Sequence, residues 1–217
     1  MVTWFSYLIS YFKPIIVAQQ HSAISGKLEV SLEQGRLLLN SDKVNYSGGS
    51  LFFVFDHVFE ELGLKQIIFH SVLILGFGTG SILELLKKHN DLKITGVEID
   101  PCVIELGKHF FSWPKVPNLT VFQDNAFSFL SETTLQYDLI LVDVFIHDEV
   151  PEYGSSEVFW KNLNRKLLPG GYCLMNWMPT KPQTRERYNE SLAYAQQLFT
   201  EVQTVFCQDN IIIVGKK

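Results

Sequence analysis

The sequence predicts an α/β protein built on a mostly parallel, doubly wound sheet, with a small β appendage at the N-terminus. Three observations carry this expectation. Short apolar runs alternate with stretches of helical spacing from Val72 to Asn176, as they do when strands buried on both faces are joined by crossover helices. The first run, "VLIL", passes through "GFGTG" into the helical spacing of "SILELL", a strand–turn–helix joint whose glycines let backbone approach a ligand closely. The last two strand-like runs are separated only by Gln208-Asp209-Asn210, too few residues for a crossover helix, so the final strand must run antiparallel.

The elements follow in order. The opening "MVTWFSYLISYFKPIIVA" is apolar and aromatic with the single charge Lys13. It has no basic leader region, and Pro14 interrupts it short of the ~20 apolar residues that span a membrane. Trp4, Leu8, Tyr11 or Phe12, and Ile15 fall at helical spacing, which predicts a short amphipathic helix packed on the body or on a second subunit rather than a membrane segment. "KLEVSLEQGRLLLN" reads as a hairpin turning at Glu33-Gln34-Gly35. Residues 1–49 therefore form the appendage and 50–217 the ligand-binding domain. Tyr46, in "NYSGG", lies in the connecting loop and is placed to close over a ligand. Leu51, Phe52, Phe55, Val58, Phe59 and Leu62 mark a helix that stops at Gly63. Beyond it the sequence predicts strand 72–75, helix 81–88, strand 93–98, helix 102–111, strand 119–123, helix 126–130, strand 137–143, helix 156–167, strand 172–176 and helix 185–199. Two strands then close the chain, and Ile211 to Val214, four apolar residues in a row, suit an inner position in the sheet.

Composition narrows the function. With 217 residues, 47% of them hydrophobic, the chain can bury a sizeable core. A formal charge of −5 argues against a broad phosphate-binding face, so the expected partner is a small molecule and not a nucleic acid. The three cysteines, Cys102, Cys173 and Cys207, are odd in number, far apart and set among apolar residues, as reduced core thiols are, which places the protein in the cytoplasm. His147, Asp148 and Glu149 are adjacent in a loop before Pro151; they read as a solvated lid edge, and no metal site is expected.

In doubly wound sheets ligands bind beyond the carboxyl ends of the strands, and the predicted exits here are acidic. Glu98 stands about 20 residues beyond the glycine loop, the offset at which an acidic side chain meets ribose hydroxyls. Asp124 is placed either to accept from an exocyclic amine or to cap the next helix. Asp143 ends "YDLILVD", and a carboxylate there can stabilise a cationic centre or deprotonate an amine. His147 is the other candidate base. Trp113, Trp160 and Trp177 read as packing residues, as do Phe52, Phe53 and Phe55.

The segments "VLILGFGTG", "GVEIDPCVIELGKHFF", "QDNAFSFL", "YDLILVD" and "LNRKLLPGGYCLMNW" together resemble the S-adenosylmethionine-dependent methyltransferase fold and, within it, the spermidine synthase-like family, over about residues 28 to 177. The resemblance implies a Rossmann-like class I methyltransferase sheet that binds S-adenosylmethionine or its decarboxylated form. It implies that Gly76, Phe77, Gly78, Thr79 and Gly80 form the loop beside the nucleoside and its amino-acid tail. Glu98, followed by Ile99, would meet the ribose; Asp124, Asn125 and Ala126 would hold the adenine; Asp143 would sit beside the sulfonium carbon. Relatives with such an appendage commonly pair, so a homodimer is expected.

Three departures stand beside it. Spermidine synthases carry an aspartate in the glycine loop where this chain has Thr79, and an Asp-rich tetrapeptide where it reads "DVFI", with Ile146 at the second acidic position. Their tyrosine and acidic residues on the preceding helix are replaced within "LFFVFDH", although Asp56 is near. A diamine needs several carboxylates. The sequence alone therefore favours methyl transfer from S-adenosylmethionine to an unidentified small molecule, with aminopropyl transfer from the decarboxylated cofactor as the alternative. A nucleoside-binding protein without catalysis is a third reading, against which the three acidic exits speak.

Overall fold

The computed structural model describes residues 4–41, 50–87, 91–111, 113–146 and 149–217. Its centre is a seven-stranded sheet of β4 (Ser71–Leu75), β5 (Lys93–Glu98), β6 (Leu119–Gln123), β7 (Tyr137–Val142), β8 (Leu167–Trp177), β9 (Glu201–Cys207) and β10 (Asn210–Lys216), in the order β6-β5-β4-β7-β8-β10-β9. β4 pairs in parallel with both β5 and β7, so successive connections leave it in opposite directions and open a crevice above its carboxyl end. β10 lies between β8 and β9 and is antiparallel to both, with Ile212, Ile213 and Val214 buried. The inner position expected for 211–214 is therefore observed.

Alternation along β4 shows why its run is apolar throughout. Val72 and Ile74 point into one core, with Val54, Phe55, Val58 and Phe59 of α2 (Ser50–Glu61). Leu73 and Leu75 point into the other, which is built largely by α5 (Ala126–Glu132), α6 (Glu157–Lys166) and α7 (Pro182–Leu198). A strand covered on both faces has no polar side to show. Cys173 is buried, Cys102 and Cys207 are half-buried, and all three are free thiols.

The N-terminal part differs from its sequence reading. Helix α1 covers only Trp4–Ile9, and Ile15–Ser22 forms a strand, β1, where the spacing had placed Ile15 on the helix. Pro14 accounts for the break, since it lacks an N–H and clashes with a preceding helical turn; the β-branched residues that follow suit a strand. β1 pairs antiparallel with β2 (Gly26–Glu33), which pairs with β3 (Arg36–Ser41), making three strands rather than the expected hairpin alone. The β2–β3 turn lies where expected, with Gln34 and Gly35 both at positive φ, as a two-residue hairpin turn requires. Ser10 holds that turn by accepting from Gln34 N and Gly35 N. The aromatic side of α1 faces outward instead of packing on the body: Trp4, Phe5 and Leu8 are exposed, and Phe12 beyond it is 91% exposed.

Two boundaries move for local reasons. α3 covers only Leu83–Leu86, because residues 80–85 are linked by tighter i→i−3 bonds such as Leu83 N to Gly80 O. β8 begins at Leu167, since "PGG" does not end it: Gly170 takes φ +79 and donates to the carbonyl of Lys217, keeping the segment in the sheet.

The appendage packs on α4 (Pro101–Phe110): Leu28, Val30 and Leu39 form a core with Val103 and Leu106. No helix of the described residues is long and apolar enough to cross a membrane.

Candidate active site

The glycine loop is a continuation of β4 folded back over the sheet. Gly76, Gly78 and Gly80 all have positive φ. Gly76 N and Phe77 N both donate to Val97 O, at 3.0 and 2.9 Å, which ties the loop to β5. At Gly76 there is no room for a side chain: a Cβ would stand 2.1 Å from the carbonyl oxygen of Asp143. Phe77 turns inward, its ring against Gly96 and edge-on to Trp113 at 4.8 Å; only its backbone borders the crevice. Trp113 Nε1 donates to Thr79 O at 2.5 Å, so this buried tryptophan props the loop as well as packing beneath it. Thr79 is buried, and its hydroxyl has no hydrogen-bond partner among the described residues.

Glu98, only 7% exposed, closes the second exit. Its Oε2 accepts from Gly78 N at 2.8 Å and its Oε1 from Asp100 N at 3.0 Å. Burial raises its pKa against the lowering effect of these N–H groups. With the Ile99 N–H as a third backbone donor, the carboxylate still has acceptor capacity for a further donor. Ile99 beside it is 44% exposed, an apolar surface left open at the strand exit.

At the third exit Asp124 N donates to Glu98 O, and Asp124 Oδ1 accepts from Asn125 N at 2.7 Å. The helix cap is Asn125, whose side chain accepts from Phe127 N at 2.8 Å. Asp124, half-buried, is therefore free of the capping role, and Ala126 begins α5 with its side chain buried.

Asp143 follows β7 directly. It is set deep among protein atoms yet keeps part of its surface open at the strand exit. Burial lifts its pKa to about 6; the Asn176 hydrogen bond works against this lift and the nearby Glu98 charge adds to it. Asn176 Nδ2 donates to Asp143 Oδ1 at 2.9 Å, while Asn176 Oδ1 is buried without a partner among the described residues. The sequence reading passed over Asn176, although a polar residue ending the apolar run "YCLM" carries the same signal that picked out Asp143.

The segment beyond Asp143 is fastened to α7. Glu149 accepts from Lys181 at 2.9 Å and from Arg187 at 2.6 Å, and Arg187 also donates to Val150 O. These two cations hold the Glu149 carboxyl below its ordinary range. Glu149 is thus an ion-pair residue, and the described residues contain no group of three or more His, Cys, Asp or Glu that could hold a metal. Next to it, a cleft of about 480 Å³ is lined by Glu152, Ser155, Gln183, Glu186, Arg187 and Glu190. Tyr153, among Phe127 and Phe159, has its pKa raised by burial and by the Glu98 charge. His147, Asp148 and Tyr46 lie outside the described residues. Trp160 and Trp177 are core residues, as expected. Phe55 is buried, whereas Phe53 is 55% exposed.

Glu98, Asp124, Asp143 and the glycine loop thus stand at neighbouring strand exits at the carboxyl end of the sheet, linked through backbone hydrogen bonds. Comparison with known proteins bears on the fold and the family. Residues 62–212 match the spermine/spermidine synthase domain, and the chain belongs to that family. A probable polyamine aminopropyl transferase of Bifidobacterium longum is 34% identical over 108 residues, covering 49% of this chain and 24% of that protein. The chain spans about a quarter of the length of the first curated relatives it matches. Among solved structures, a probable spermidine synthase from Corynebacterium glutamicum superposes with a TM-score of 0.77 at 18% identity, covering 93% of this chain and 80% of that one. Human methyltransferase-like protein 13, in complex with S-adenosylhomocysteine, gives a TM-score of 0.60 at 20% identity, with 70% and 73% covered.

Proposed function

We propose that this member of the spermine/spermidine synthase family transfers an aminopropyl group from decarboxylated S-adenosylmethionine to an amine of the polyamine class. The observation that carries the reading is the Asp143–Asn176 pair: a deeply set carboxyl with a pKa of about 6, held by one oxygen and open at the strand exit. A group poised near neutral pH is suited to take a proton from an amine. The relatives, named as polyamine aminopropyltransferases, support this transfer over methylation, which the sequence alone had favoured.

The residues fit such a donor. Glu98, with acceptor capacity left beyond its backbone donors, would receive a ribose hydroxyl, and the open face of Ile99 would meet the adenine, with Asp124 accepting from its amine. When bound, the donor supplies a carbon made electrophilic by the adjoining positive sulfur. Asp143 takes the proton that the acceptor ammonium must lose, at the oxygen not held by Asn176; the nitrogen–carbon bond then forms as the carbon–sulfur bond breaks and a neutral thioether leaves. Glu152, Glu186 and Glu190 around the neighbouring cleft outnumber Arg187, whose charge Glu149 already meets, and this excess suits the approach of a cationic acceptor.

A second reading, methyl transfer from intact S-adenosylmethionine, is favoured by Thr79: where the donor's cationic tail would call for a carboxylate, the loop carries a neutral hydroxyl. Incubation of the protein with putrescine and each donor in turn separates the two. Release of methylthioadenosine with an aminopropylated amine supports the first; release of S-adenosylhomocysteine with a methylated acceptor supports the second.

A further inference from the structure

The N-terminal sheet reaches the nucleoside crevice through one buried carboxylate. Asp100 is 1% exposed, and the hydroxyls of Ser22 and Ser25, at the β1–β2 turn, both donate to its Oδ2. Its Oδ1 accepts from Cys102 N at 2.9 Å, capping α4. Its own N–H donates to Glu98 Oε1, and Glu98 Oε2 accepts from Gly78 N in the glycine loop. Ser22 is itself fixed, since its oxygen accepts from Ile24 N and Ser25 N at 2.9 and 3.1 Å.

An ionised carboxylate this deep persists only when its oxygens are supplied with donors. Cys102 serves one oxygen from within the same strand–helix joint, and the appendage serves the other. Without Ser22 and Ser25 the Asp100 carboxylate must turn toward other donors, and that turn moves the peptide whose N–H orients Glu98. The core formed by Leu28, Val30 and Leu39 with α4 holds the turn in register with Asp100, so the contact is built into the packing. We propose that Ser22 and Ser25 are positioning residues for nucleoside binding: acting through Asp100, they set the orientation of Glu98, and the N-terminal sheet is thereby a working part of the donor site. This rests on the reading that Glu98 meets the ribose.

The test is calorimetric binding of methylthioadenosine, with urea unfolding of every variant as the control. Glu98→Gln tests the underlying reading and should weaken binding about tenfold or more. Ser22→Ala/Ser25→Ala should weaken it about tenfold in the parent, yet less than about twofold when Glu98→Gln is already present, because the serines act through that residue. Ser25→Thr, which keeps the hydroxyl, should bind as the parent does. If the double variant does not fold, Ser25→Ala alone should show the same pattern with a smaller loss. Unchanged binding in Glu98→Gln overturns the ribose reading. A weakened Glu98→Gln with serine variants that bind like the parent overturns the positioning role, and so does an equal loss in both backgrounds, which marks a merely structural contact.

Discussion

Asn176 Nδ2 stands 2.9 Å from Asp143 Oδ1, joining two side chains from adjacent strand exits. The pairing of Val142 with Met175 in the parallel β7–β8 ladder sets these two residues side by side one step further on. Because the amide donates to the carboxylate form, it holds the Asp143 pKa down against the pull of burial.

Asn176→Leu should therefore raise that pKa further. The pH–rate profile of the transfer is expected to show its acidic inflection near 6 in the parent and at a clearly higher pH in the variant, with the rate at pH 7 lower by about two- to tenfold. An inflection that does not move would remove Asn176 from control of the base.

Asp143→Asn should reduce turnover by about 10²- to 10⁴-fold. It should also change stability in a pH-dependent way. The folded pKa, about 6, lies above the 3.8 of a free aspartate carboxyl, so the folded state binds more protons and stability falls as pH rises through this window. Replacing the carboxyl removes that cost. The variant should be more stable than the parent at pH 8, by on the order of 1–3 kcal/mol, and little different below pH 4. Urea unfolding at the two pH values checks both parts.

Gly76→Ala combines a strained backbone with a collision. The residue sits at φ +80, and the added Cβ would meet a backbone oxygen of Asp143 at 2.1 Å, which no rotamer change relieves. The backbone conformation alone costs about 1 kcal/mol or more, and displacement of the Asp143 peptide adds to it. Unfolding measurements should show a loss of about 3 kcal/mol or complete failure to fold; a near-neutral result would mean that β4 and β7 exit less closely than they do here.

How much of this was legible beforehand follows from the range of the forces involved. Strands β4, β7 and β10 were readable because burial on both faces leaves a near-continuous apolar run, and the glycine loop because Gly76, Gly78 and Gly80 need backbone conformations that other residues resist. Glu98, Asp124 and Asp143 were readable because each is a carboxylate at a strand exit. The β1 strand was not: Ile15 fits a helical stripe as well as a strand, and pairing with β2 decided between them. Nor were Ser22, Asn176 or the Trp113–Thr79 bond, which depend on partners 78, 33 and 34 residues away. No local pattern announces a contact of that kind.

Thr79 is the position at which the choice of donor should be adjustable. The two donors differ in the tail on sulfur: the decarboxylated form ends in an ammonium alone, whereas the intact form also carries a carboxylate. Most N–H groups of the glycine loop already have acceptors within the protein, and a neutral hydroxyl gives an ammonium no opposite charge. Thr79→Asp would introduce one at a buried site, where an unmet charge is costly, so the free protein should lose stability. The same charge should be met when the ammonium tail is present and opposed when the carboxylate tail is. Binding of decarboxylated S-adenosylmethionine relative to the intact form is therefore expected to rise by about tenfold or more in this variant, measured by calorimetry with both ligands. Equal changes in affinity for the two would show that residue 79 does not face the tail, and the departure at this position would then carry no information about which group is transferred.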